Sequence, residues 1–310
     1  MNRIFFYLLL FVSILLGSCF TYIEEELNIK PKLVLHCYLI PQKDTTILSL
    51  TNSSPLFGRN PIKSAPVINA TVEISDDNHR WVQMRYYPGY GVYFIPQAQF
   101  PIKEGKTYYI RASAPEYETV SSSCTVPYYR EVNFEFVVEE HTRCTHGGEP
   151  YSEPHKHRYL RWTDYKGEEN YYMFYENYDW WSWSWEWDSD TGESYYTDSV
   201  LHNAWGLLWA DHNKRCIFSD HGQDGQKMSA LLQVHWFGTR YDDLSEITLL
   251  QTDKHAYLYQ SSIWDYNGDM AFFMLEPTKI YSNIKNGYGV FGAFTMRTYA
   301  VENYNVQYFK

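Results

Sequence analysis

The chain has 310 residues, with 26 Lys and Arg against 37 Asp and Glu, for a formal net charge of −11. That sign argues against phosphate-backbone binding, so nucleic acid is not an expected partner, and the length excludes a single small disulfide-stapled scaffold. Aromatic residues make up 19% and charged residues 20%, a balance that excludes a disordered or coiled-coil body and favours strands over helices.

Met1 to Arg3 give a short positive start, Ile4 to Leu16 a nearly unbroken apolar run, and Gly17 and Ser18 lead into Cys19. This pattern reads as a secretory signal over residues 1–18. The run falls short of the roughly 20 apolar residues of a membrane span. Leu16-Gly17-Ser18-Cys19 resembles a bacterial lipobox, which implies cleavage after Ser18, lipid attachment at Cys19 and a membrane tie made by acyl chains alone. An ordinary signal peptide followed by a chance cysteine is the competing reading. Residues 19–29 read as an acidic tether. Its Glu24, Glu25 and Glu26 resemble the export signals that carry Bacteroidetes lipoproteins to the outer face of the outer membrane.

The first predicted strand is 32–40, ending at Pro41, followed by 46–50 and 70–74; further strands are expected at 81–85, 92–95, 107–112 and 119–126. Asp76-Asp77-Asn78, Pro88-Gly89 and Lys103-Glu104-Gly105-Lys106 mark turns between them. Short strands at this spacing predict an immunoglobulin-like β-sandwich over 30–127, with Pro127 at the boundary.

Beyond it, 128–310 reads as a second, aromatic-rich antiparallel β domain with one short helix, so the fold class is mainly β. Strands are expected at 130–138, 158–163, 170–176, 180–187 and 194–200. The helix is predicted over 252–264, where Ala256, Tyr259 and Ile263 stand at helical spacing. A closing strand pair is expected from 290–299 with 301–309.

Four cysteines besides Cys19 could pair in three ways. Cys37 with Cys124 and Cys144 with Cys216 is the preferred set, and buried free thiols are the alternative. Trp181, Trp183, Trp185 and Trp187 alternate with Ser182, Ser184 and Glu186, so a strand would carry four indoles on one face. Such a stripe serves as a ligand or partner contact, or packs onto the domain's own core. His155 and His157 share a strand face and, with nearby His141, His146 and Cys144, are the only metal candidates; they match no tetrahedral zinc spacing, so no metal is expected. No nucleophile elbow, phosphate loop or dinucleotide fingerprint occurs, so no catalytic residue is assigned and no cofactor is expected.

Asn69-Ala70-Thr71-Val72-Glu73-Ile74 and Gly105-Lys106-Thr107-Tyr108-Tyr109 come first in the chain. Ile217-Phe218-Ser219-Asp220 with Asp224-Gly225-Gln226 follow, and Glu276 to Phe294, containing Asn283, Asn286, Gly287 and Gly289, comes last. In this order the segments resemble the domain-of-unknown-function 4249 family of Bacteroidetes outer-membrane lipoproteins. The resemblance implies a non-catalytic surface lipoprotein that assists a TonB-dependent transporter in ligand capture or uptake, and it supplies no catalytic residues. A docking subunit of an outer-membrane assembly without a small ligand is a second expectation, and a surface glycan-active enzyme a third. Read on their own, residues Ser282 to Gly289 predict a fixed loop before the last strand, with Gly287 and Gly289 allowing positive φ or close backbone approach.

Overall fold

Strict alternation of buried and half-exposed residues shapes the first strands. In Leu33–Leu39 (β1), Leu33, Leu35, Cys37 and Leu39 point inward while His36 and Tyr38 are half-buried on the other face. Thr45–Asn52 (β2) repeats the pattern through Thr46, Leu48 and Leu50. Facing them are Thr71–Ser75 (β3), Trp81–Gln83 (β4), Thr107–Ser113 (β7) and Val120–Thr125 (β8), which form a four-stranded sheet in the order β4-β3-β7-β8. Between β3 and β8 the chain also forms Arg85–Tyr87 (β5) and Val92–Pro96 (β6), which join β1 and β2. Leu35, Leu48, Leu50 and Ile95 from one sheet meet Val72, Ile74, Ile110 and Val120 from the other in one core. Each fully buried aliphatic side chain of this kind contributes about 1.5–3 kcal/mol.

The computed structural model describes residues 30–54, 64–78, 80–141, 145–146, 149–150, 155–187, 194–207, 217–232, 244–268, 279–300 and 308–309. Its further strands are Phe134–His141 (β9), Thr145–His146 (β10), Glu149–Pro150 (β11), His155–Thr163 (β12), Tyr171–Trp187 (β13), Ser194–Leu207 (β14) and Ile217–Ser219 (β15). Lys227–Leu232 (β16), Leu244–Thr252 (β17), the helix Lys254–Gly268 (α1), Tyr288–Ala300 (β18) and Tyr308–Phe309 (β19) complete the order. All of these lie in the unit made by Lys32–Ser53 and Ser64–Lys310. The architecture is therefore mainly β, with one helix among the described residues. No helix among them is long and apolar enough to cross a membrane.

The largest sheet has nine strands in the order β14-β13-β17-β18-β1-β2-β6-β5, with β15 paired to β13. It runs through both segments expected as domains, 30–127 and 128–310. The splice is β18. Its first half, Tyr288 to Ala293, lies parallel to β1, and its second half, Phe294 to Ala300, lies antiparallel to β17. A second four-stranded sheet, β16-β12-β9-β19, meets the large sheet over a separate core of Leu160, Trp162, Tyr172, Phe174, Ile247 and Leu249.

Four elements differ from the sequence expectation. The strand expected at 81–85 is two strands in two sheets: the Met84 amide donates to Val72 O at 2.8 Å and its side chain is buried, so the chain turns from one layer into the other about an apolar anchor rather than a glycine. The strands expected at 170–176 and 180–187 are one strand, β13, because Asn177 and Tyr178 absorb an irregularity against β17 without ending the strand. Among the described residues of the expected closing pair, β18 pairs with β1 and β17, and β19 pairs with β9 in parallel, while 301–307 lie outside them. The helix begins two residues later than expected, since Thr252 still belongs to β17 and Asp253 caps α1. Cys37 and Cys124 are free, buried thiols rather than a bridge, and behave as small core hydrophobes whose ionisation burial suppresses. Cys144 and Cys216 lie outside the described residues, as do Ser18, Cys19 and Glu24 to Glu26.

The loop before β18 is fixed as its composition predicts. Asn283 holds Phe291 on both backbone atoms, donating from Nδ2 to its O at 2.7 Å and accepting at Oδ1 from its N–H at 3.0 Å. Gly289 has φ +103°, and a Cβ there would lie 2.1 Å from Leu35 O, so only glycine lets β18 close on β1. Gly289→Ala is expected to cost about 3–5 kcal/mol, measured as a fall in urea-unfolding free energy; a loss below about 1 kcal/mol would contradict the close approach.

Candidate functional site

Three carboxylates converge where the chain leaves β12 and where it turns from β15 to β16. Asp164 follows β12, while Asp220 and Asp224 lie in the 220–226 turn, and one carboxylate oxygen from each lies within 4.8 Å of the others. Asp164 Oδ1 accepts the Tyr172 hydroxyl at 2.6 Å, and its Oδ2 accepts the Gly225 amide at 2.8 Å. Asp220 Oδ2 accepts the Asn170 amide at 2.9 Å, and Asp224 Oδ1 accepts the Gly167 amide at 2.7 Å. Each acid is therefore held by the backbone of a loop other than its own. Burial, then repulsion from Asp164 and Asp224, raises the Asp220 carboxyl above its ordinary value, while the Asn170 donors pull it down. Burial and the hydrogen bond to Asp164 hold the Tyr172 phenol protonated as a donor.

Chemically, the trio is a set of hard oxygen donors of the type that suits calcium or magnesium. Structurally, it clasps the 164–170 loop to the 220–226 turn, through bonds that account for the geometry without an ion. Sequence reasoning missed it. Asp220 and Asp224 stood in a segment noted for its family resemblance, but nothing in spacing ties Asp164 to a turn more than fifty residues later.

A second polar group surrounds α1, which packs on β18 and the outer face of β1. Asp253 Oδ1 accepts from Ala256 N at 2.9 Å, capping the helix, and from Ala293 N at 3.1 Å, tying that cap to β18. Its Oδ2 is buried without a partner. Gly292 makes room, since a Cβ there would lie 3.0 Å from Ala256 Cβ and 3.1 Å from Asp253 Oδ1. Along the helix, Tyr259 OH meets His36 Nε2 at 2.5 Å, Gln260 donates to Tyr38 OH at 3.1 Å, and His255 Nδ1 meets Tyr281 OH at 2.7 Å. Burial lowers both His36 and His255, favouring neutral imidazoles at neutral pH. These are contacts that seat a helix on a sheet; they assemble no nucleophile, base and open cleft. An open hollow of about 450 Å³, lined by Ala70, Gln83, Met84, Arg85, Tyr86 and Tyr93, lies where the chain crosses between sheets, away from both polar groups.

The sequence-predicted contacts fall in the second half of the chain. Trp181, Trp183, Trp185 and Trp187 occupy alternate positions of β13, opposite Leu201, Ser199, Tyr196 and Ser194 of β14. The register skips Thr197, an extra residue of β14, between Ser184 and Trp185. From Asp179 to Trp187, β13 pairs with β14 alone among the described residues. His155 and His157 lie on β12 opposite His141 and Glu139 of β9, and His146 lies on β10. The backbone thus brings His141 and His155 to one register position, which the sequence did not disclose.

Two stability measurements test these assignments. Asp164→Ala strips the buried Tyr172 hydroxyl and the half-buried Gly225 amide of their acceptor and is expected to cost about 3 kcal/mol; a cost under about 1 kcal/mol would mean the clasp does not hold the loops. Burial pushes the Asp253 carboxyl up to about 6 from 3.8, against the backbone N–H groups of Ala256, Ala293 and His255. The folded state therefore holds this proton more tightly than the unfolded chain does. The stability it contributes is full below about pH 4 and is lost as pH rises through about 6, about 3 kcal/mol in all. Asp253→Asn should remove that slope from unfolding curves taken between pH 4 and pH 7, and an unchanged slope would refute the assignment.

Among solved structures, the chain aligns with one described as "Biofilm associated protein - B domain" over 86% of its own length and 85% of that chain, at 5% identity and a TM-score of 0.14. A score that low carries no argument. No curated protein matches the sequence. The family described as "Domain of unknown function (DUF4249)" matches residues 20–300, nearly the whole sequence, and the chain belongs to that family.

Proposed function

We propose that this chain is a non-catalytic lipoprotein of the outer membrane, anchored through Cys19, facing the cell exterior and serving a TonB-dependent transporter as an accessory for ligand capture or uptake. The observation that carries the reading is the leader: a positive start, an apolar run and Leu16-Gly17-Ser18-Cys19, directly followed by the residue at which the family match begins. Two features agree with a binding role rather than catalysis. The polar groups around α1 are spent on seating the helix, and the acid trio is held by backbone donors on every member. The body's negative charge keeps it off anionic lipid, so acyl chains must supply the membrane tie.

The test is a pair of variants in the native cell. Wild type should incorporate labelled palmitate and sediment with outer membranes, and Cys19→Ala should lose both. A C-terminal tag on the wild type should recover an outer-membrane barrel after crosslinking. Recovery of the lipoprotein alone, repeatedly, would overturn the transporter role, and an unlabelled wild type would overturn the anchor.

A further inference from the structure

The break in the chain at Met84 leaves a space beside it. Gln83 ends β4 in one sheet and Arg85 starts β5 in the other, while the Met84 side chain is buried. The hollow at this crossing, about 450 Å³, is lined by Ala70, Gln83, Met84, Arg85, Tyr86 and Tyr93. Its volume falls within the range of small-ligand pockets, about 300–1,000 Å³.

Part of the lining is fixed. Tyr93 OH donates to Val67 O at 2.8 Å and accepts from Ala70 N at 3.0 Å, and the Tyr86 ring packs on the Tyr93 ring with centroids 5.2 Å apart. The polar groups of the lining are not spent on the fold. Gln83 and Arg85 are exposed, Tyr86 is half-buried, and neither the Gln83 amide, the Arg85 guanidinium nor the Tyr86 hydroxyl has a hydrogen-bond or ion-pair partner. Three unpaired polar groups of different kinds therefore line one hollow that also offers the apolar surface of Met84, Ala70 and the tyrosine rings.

Charge then narrows what these groups hold. The chain carries 37 acids against 26 bases, yet no Asp or Glu occurs from Thr45 to Val72 or from Asn78 to Lys103, the two stretches that supply every lining residue. Register places one acid nearby, Glu73 opposite Gln83, and Arg111 Nε holds its carboxylate at 2.6 Å. Arg85 stays charged at any physiological pH. A ligand carboxylate supplies the partner it lacks, in the two-pronged geometry that a guanidinium favours. The Gln83 amide and the Tyr86 phenol suit hydroxyls, and the apolar surface suits the C–H face of a ring. A sugar acid carries all three features, whereas a neutral sugar lacks the first and an aromatic acid the second.

We propose that the hollow at the Met84 crossing is a binding site for a sugar acid, with Arg85 on its carboxylate and Gln83 and Tyr86 on its ring hydroxyls. This rests on the reading of the chain as a binding protein, and it names the class of ligand, which that reading leaves open.

The test titrates the full mature chain, purified, with glucuronate, glucose and benzoate, followed by saturation-transfer-difference NMR, and adds inorganic phosphate as a competitor. Glucuronate should bind at least about tenfold more tightly than glucose, the excess that a charge-assisted pair supplies. It should also bind more tightly than benzoate, which keeps the carboxylate without the hydroxyls. Arg85→Gln should erase the preference for glucuronate over glucose. Tyr86→Phe keeps the ring and should weaken both sugars while leaving benzoate unchanged. Arg80→Gln removes an exposed cation of the same acid-free stretch that does not line the hollow, and should change nothing. All three substitutions touch groups without partners in the core, so each variant is expected to fold, and circular dichroism checks that before binding is scored.

An absence of saturable glucuronate binding would overturn the proposal, as would equal affinity for glucuronate and glucose or a preference that survives Arg85→Gln. Loss of the preference in Arg80→Gln would place the anion outside the hollow. Benzoate binding as tightly as glucuronate would overturn the sugar in favour of a simple carboxylate, and displacement of glucuronate by an equal concentration of phosphate would overturn it in favour of a phosphate. These outcomes are separate from the transporter test. A chain that recovers no barrel can still discriminate glucuronate from glucose, and a chain that does recover one can fail to.

Discussion

Tyr288 to Ala293 lie parallel to β1, and the rest of the large sheet hangs on that pairing. On one side of it stand β2, β6 and β5, which close the first core; on the other stand β17, β13 and β14, which close the second. Parallel neighbours cannot be joined by a hairpin and need a long connection. Here that connection is nearly the whole chain, from Leu39 to Tyr288. The contact is made possible by a backbone without a side chain at Gly289, where β18 crosses Leu35 O. It is held in register by Asn283, which clamps both backbone atoms of Phe291. Ile284, Phe291 and Ala293 then complete a core otherwise built from residues 33–126.

Buried polar groups do the remaining positioning, and each joins elements that hydrophobic packing alone would leave free to slide. Asp253 caps α1 and holds Ala293 with the same oxygen, so the helix and the splice strand move as one body. Gln251 spans the boundary between the halves, donating to Arg130 O and accepting from Arg130 N, both at 2.6 Å. Asp164 reaches from the end of β12 to Tyr172 and Gly225. A directional bond to a buried carboxylate or amide fixes distance and angle where a methyl contact fixes only proximity, and losing one partner strands the other without water.

Much of this frame was legible in the sequence for one physical reason: strands with one buried face write their period into the chain. Leu33, Leu35, Cys37 and Leu39, or Tyr108, Ile110 and Ala112, alternate as the pleat requires, and their strands fall within a residue or two of expectation. The loop at Asn283 to Gly289 was legible because only certain residues tolerate its backbone. What could not be read were relations between distant segments. The break at Met84 carries no turn residue, and a buried methionine does the turning. The partner of β18 could not be inferred from its own pattern, since a strand does not name its neighbour. The acid trio failed for the same reason, because Asp164 and Asp220 are ordinary acids until the fold joins their loops. The tryptophan positions were found by alternation, and their register against Leu201, Ser199, Tyr196 and Ser194 is a property of β14.

The splice at β18 also sets an order of events. β1 is among the first strands to leave the ribosome or an exporter, yet one of its two neighbours is among the last, so its open edge waits while more than two hundred residues follow. A sheet completed by its final strand gains little from early local structure, and chains dominated by such distant contacts fold slowly. For that interval an apolar strand with unpaired amides and carbonyls is available to the wrong partner. The glycine that admits β18 so closely therefore matters to the time course of folding as well as to its end point: it lets the late strand dock directly onto a waiting edge and retire it from wrong partners.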